Sequence, residues 1–187
     1  MKNENIKFLK LQAKHFPTIN DASREIINLS SILELPKGTE HFLSDVHGEY
    51  EAFSHIIRNA SGTIKNKIEE IFGSSLMKVE KKSLATLIYY PEEMIKKKKE
   101  QETELLDWYK INLYRLVEIC RASSSGYTRS KVRKALPSTF SYVLEELLNE
   151  RYIDRNRETY FDGIVKTIID IGKADEFIIT LAKLIQR

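Results

Sequence analysis

The residues whose types and spacing could do chemistry are Ser44-Asp45-Val46-His47-Gly48. Along an extended backbone, alternation puts Asp45 and His47 on one side, so a carboxylate oxygen and an imidazole nitrogen can meet on one cation. Gly48 can turn sharply because it has no side chain to clash. A helix starting beyond it would aim unpaired N–H groups and a positive dipole end back at the same point, where a phosphate is stabilised. A hard carboxylate with a borderline imidazole suits manganese, iron or zinc better than calcium. Two ligands do not make a hydrolytic centre, which needs at least three protein ligands on one metal, or two metals sharing a carboxylate. An Asx turn beside an exposed histidine would have the same sequence.

These residues need elements to position them. Thr39–Ser44 is short and turn-bounded, the pattern of a strand that stops at Asp45. Tyr50, Phe53, Ile56 and Ile57 then recur with helical spacing, predicting a helix from Glu49 to about Asn59 that closes near Gly62. Upstream, Ile19, Ala22, Ile26, Leu29 and Leu33 form a helical stripe, with Thr18 and Asp21 as a capping box and Pro36 and Gly38 as its end. The expected fold class is therefore predominantly α, with one strand-turn-helix unit.

Everything past Gly62 reads as helical. Ile64, Ile68, Ile71 and Phe72 make one amphipathic segment, and Leu84, Leu87 and Ile88 another before Pro91. Thr86–Tyr90 could also be written as a strand, but helical spacing explains it. One long helix is expected from Pro91 to Arg121, its first half too charged to pack and so facing solvent or a partner, a second copy of the chain included. Pro137 is expected to open a further helix carrying Phe140, Val143, Leu144, Leu147 and Leu148, and two more flank Gly172. A lone strand leaves backbone groups unpaired. The last stripe also reaches Gln186 and Arg187 in mid-period, so the expectation is a truncated chain, with 1–62 and 63–187 as its parts.

Composition removes several function classes. One cysteine, Cys120, excludes an intramolecular disulfide, and MKNENIKFLK has no secretory apolar run, which favours a cytoplasmic location. No stretch approaches the roughly 20 apolar residues of a membrane span. The net charge is only +3, and Lys96–Lys99 is bracketed by Glu92, Glu93, Glu100, Glu102 and Glu104, so nucleic acid is not an expected partner. Arg129, Lys131 and Arg133, near Ser123–Gly126, could hold an anion or be a solvated basic loop. His15, His41 and His55 read as packing or surface residues, with His41 alone near enough in sequence to support a ligand.

Phe16–Gly62 resembles the amino-terminal region of class III fructose-1,6-bisphosphatases, and Asp45-Val46-His47-Gly48 matches the first motif of calcineurin-like metallophosphatases. The helical remainder resembles the insertion that this family places between its first and second metal motifs. The resemblance implies hydrolysis of the 1-phosphate of fructose 1,6-bisphosphate, in gluconeogenesis, at a two-metal manganese centre in an α/β sandwich. Asp45 and His47 would be ligands of one metal. The chain has no G-D-x-x-D-R and no G-N-H-[ED] motif. The bridging aspartate, the second metal's ligands and the proton donor are thus missing, and an isolated chain is expected to be inert. A non-enzymatic helical scaffold is the competing reading.

Overall fold

The computed structural model describes residues 3–35, 40, 42–59, 62–101, 105–149 and 155–186, and every regular element among them is helical. The chain divides into two compact units, Met1–Gly38 and Thr39–Arg187.

The first unit holds α1 (Asn3–His15) and α2 (Ile19–Leu33). Thr18 caps α2 as its sequence predicts: the backbone is extended there and its hydroxyl oxygen accepts from the Asp21 N–H at 3.1 Å. No residue of α2 is buried, and the large side chains of its apolar stripe stand bare, Ile26 being 64% exposed. The stripe that predicts α2 has no counterpart signal for α1, whose polar sequence carries only a weak apolar face.

The second unit begins with irregular backbone. The strand expected over 39–44 is not formed at its described positions: Glu40 and Phe42–Ser44 are not in a ladder, and the other positions, His41 among them, lie outside the described residues. The physical reason is the one that made a lone strand doubtful, namely that its donors and acceptors find no partner strand. Helix α3 (Tyr50–Asn59) then forms where its periodicity puts it.

The core starts at Ile64 and is built by α4 (Thr63–Phe72), α5 (Lys78–Tyr89), α6 (Pro91–Glu100), α7 (Leu105–Ser124), α8 (Arg129–Ala135), α9 (Ser141–Asn149), α10 (Arg155–Asp170) and α11 (Ala174–Gln186). Helix α7 is the axle, packing against α4, α9, α10 and α11. Its Leu113, Leu116, Val117, Ile119 and Cys120 are buried, and each fully buried aliphatic side chain contributes about 1.5–3 kcal/mol. Phe140 and Phe177 close one end with ring centroids 4.4 Å apart. Between α10 and α11, Gly172 takes a φ of +69° while its N–H bonds Ile169 O and the Lys173 N–H bonds Ile168 O, both at 2.9 Å. This Schellman closure needs a residue tolerant of left-handed backbone, which Gly172 supplies.

Three expectations are corrected here. The long helix from Pro91 to Arg121 is two helices, because α6 ends at Glu100 with the Gln101 N–H turned back to the Lys98 and Lys99 carbonyls. Its charged half does pack: Pro91 and Ile95 are buried, Lys99 pairs with Asp175, and Lys183 reaches Glu92 at 3.0 Å. Long charged side chains can line an apolar seam while their heads stay wet, and periodicity alone undervalued the two apolar residues beneath them. Pro137 opens a turn rather than a helix, with the Phe140 N–H on its carbonyl at 3.2 Å, and α9 starts at Ser141. Thr86–Tyr89 is helical, as spacing indicated.

Candidate metal-binding turn

Asp45, His47 and Gly48 sit together in an exposed turn just before α3. Their φ angles are 54°, 50° and 75°, so two non-glycine residues occupy the left-handed region. That conformation costs roughly 1–2 kcal/mol per residue without glycine, and such strain concentrates at functional sites. It also means that strand alternation does not orient the Asp45 and His47 side chains. The turn is tied to the helix by its own backbone: Glu49 N–H bonds Val46 O at 3.1 Å, Tyr50 N–H bonds Gly48 O at 3.0 Å, and Phe53 N–H bonds Glu49 O at 2.9 Å.

In donor type, Asp45 and His47 fit manganese. In number they fall short, since no group of three or more His, Cys, Asp or Glu side chains that could hold a metal occurs among the described residues. Arg129, Lys131 and Arg133 lie on α8, where the Lys131 N–H caps onto Thr128 Oγ1. Arg133 is engaged by Glu145, its Nε at 3.2 Å and a terminal nitrogen at 2.9 Å from the same carboxylate oxygen.

One cluster escaped the sequence reading. His55, expected to be a packing or surface residue, stacks on Tyr90 with centroids 6.0 Å apart and rings 13° from parallel, and its Nδ1 pairs with the Tyr90 hydroxyl. Asn59 Nδ2 donates to the same hydroxyl at 3.4 Å and to the His55 carbonyl at 2.9 Å. Arg58 lies 5.5 Å from the Tyr90 ring centre and donates to the Tyr89 carbonyl at 3.2 Å. The signal available was Tyr89-Tyr90-Pro91, a pair of aromatics forced to a corner by proline, but a partner more than thirty positions away cannot be read from it.

No helix among the described residues is long and apolar enough to cross a membrane. No solved structure matches the chain. The sequence is 60% identical over 185 residues to a class 3 fructose-1,6-bisphosphatase of Clostridium beijerinckii, a match that covers 99% of this chain and 28% of that protein. It is 62% identical over 184 residues to a class 3 fructose-1,6-bisphosphatase of Clostridium acetobutylicum, covering 98% of this chain and again 28% of the relative. A Clostridium botulinum relative of the same name is 58% identical over 184 residues. The chain thus spans under a third of the length of the curated relatives it matches. The family profile described as Firmicute fructose-1,6-bisphosphatase matches residues 7–187, from α1 through the turn and the whole bundle, and the chain belongs to that family.

Proposed function

We propose that this chain is part of a phosphatase hydrolysing the 1-phosphate of fructose 1,6-bisphosphate, in cytoplasmic gluconeogenesis, and that Asp45 and His47 are two ligands of its two-metal manganese centre. The observation that carries this reading is identity of about 60% to proteins of that name, running through the bundle as well as the D-V-H-G turn. A bound metal pair would activate water and neutralise the phosphoryl oxygens. The remaining ligands and the proton donor come from outside these 187 residues, so the chain alone is inert. Residues 39–44 become a strand once neighbouring strands of an α/β sandwich satisfy their backbone. Residues 1–62 then belong to the catalytic domain and 63–187 form a helical insertion in it.

A chimera tests this. This chain replaces the matching 184 residues of the Clostridium acetobutylicum relative. Manganese-dependent phosphate release from fructose 1,6-bisphosphate is expected, and Asp45→Ala or His47→Ala lowers it by at least about a hundredfold, since even outer partners of ligands are worth ten- to a hundredfold. A chimera that folds and binds manganese but releases no phosphate, while the parent does, rejects the reading.

A further inference from the structure

Helix α3 is attached to the bundle in an unusual way. Its apolar residues Phe53, Ile56 and Ile57 are three and four apart and all stand exposed, and no residue of α3 is buried. His55, Arg58 and Asn59 share the same spacing on the opposite side of the helix, and these polar groups meet the corner between α5 and α6. The corner exists because Pro91 excludes a helical residue before it, which leaves Tyr90 at φ −136° and ψ 63°. The two tyrosines of the corner part ways: Tyr89 is 3% exposed, whereas Tyr90 reaches out to α3.

We infer that Tyr90 is a positioning residue for the metal-binding turn, holding α3 to the bundle through His55 and Asn59 so that the turn preceding α3 keeps one orientation. Helix α3 is a single rod of ten residues joined to the turn by backbone hydrogen bonds, so fixing the rod fixes the turn. With no apolar anchor on this side, the ring stack and the hydroxyl contacts, together with the Arg58 bond to the Tyr89 carbonyl, are the tie. The clasp is independent of any ligand, whereas its consequence for the metal rests on Asp45 and His47 being ligands, as proposed above.

The test uses the intact 187-residue chain as wild type, Tyr90→Phe, His55→Ala and the double variant. Tyr89→Phe is the control, because the Tyr89 hydroxyl is buried without a hydrogen-bond partner and its loss removes no hydrogen bond. Amide exchange across Ser54–Asn59 is expected to rise about five- to tenfold in Tyr90→Phe, the scale of one lost hydrogen bond, with α7 and α11 unchanged and Tyr89→Phe like wild type. Manganese-induced broadening of the Asp45–Gly48 amide signals shifts to several-fold higher metal concentration in Tyr90→Phe, and the double variant is no worse than either single. Unchanged exchange in α3, or effects that simply add, overturns the clasp. If exchange rises but wild type shows no broadening with manganese, the ligand reading fails and the positioning role fails with it, while the tie between helices stands.

Discussion

The bundle from α4 to α11 and the helices α2 and α3 are written in the same amphipathic pattern and end in opposite states. In the bundle the stripes meet each other, and Leu116, Ile178 and Leu181 are fully enclosed. In α2 and α3 the stripes are as regular, yet neither helix has a buried residue. Periodicity thus reports that a face is made to be covered, not that the cover is present. The difference lies in packing rather than local propensity, since a short helix draws most of its stability from tertiary contacts.

The largest test of this contrast is truncation of matched side chains. Leu116→Ala or Ile178→Ala is expected to cost about 2–5 kcal/mol, because each leaves a cavity in a filled core. Ile26→Ala in α2 or Ile56→Ala in α3, at 64% and 44% exposure, stays within about 0.5 kcal/mol. Urea unfolding of the four variants checks it. Equal losses would mean that the α2 and α3 stripes are covered in solution.

A smaller effect sharpens the same comparison through titration. Burial within α7 pushes the Cys120 thiol up from 9.0 to about 12. The unfolded thiol therefore loses its proton near pH 9 while the folded one keeps it, so the unfolded state binds fewer protons in that window. Stability is fully present below pH 9 and falls as pH rises toward 12, by roughly 1 kcal/mol per pH unit. Tyr109 adds to the fall above its usual 10, because burial, then its hydrogen bond to Asp175 at 2.5 Å, raises it as well. Cys120→Ala flattens the slope between pH 9 and 10, and in wild type iodoacetamide labels Cys120 only on unfolding. Rapid labelling in the native state would show that the bundle core is not closed.

Much of the helical fold was legible because its signals are local. The Thr18 cap, the α3 stripe and the Gly172 stop each act within a few residues, and the structure has them where the sequence puts them. The failures share a different cause. A strand over 39–44 depends on neighbours, and no local pattern supplies those. The break after Glu100 carries neither glycine nor proline, and the pairing of Lys99 with Asp175 joins residues 76 positions apart. Within the turn, Asp45, Val46, His47 and Gly48 stood out as a candidate ligand pair, but extended backbone was expected at Asp45 and His47, where the structure is left-handed. Tyr90's reach to His55 was invisible for the same reason as the Lys99 pair.

That left-handed geometry separates foldability from chemistry. Were the two acidic and imidazole-bearing positions chosen for comfort alone, glycine would occupy both, as it does at Gly48. Asp45→Gly or His47→Gly consequently relaxes the local backbone and leaves the midpoint of thermal melting unchanged or slightly raised, which differential scanning calorimetry can read. On the ligand reading proposed above, that conformational tension is borne by the donor residues themselves and can be relieved only by giving up the donors, so a lineage that no longer needed the metal would be free to drift toward glycine there.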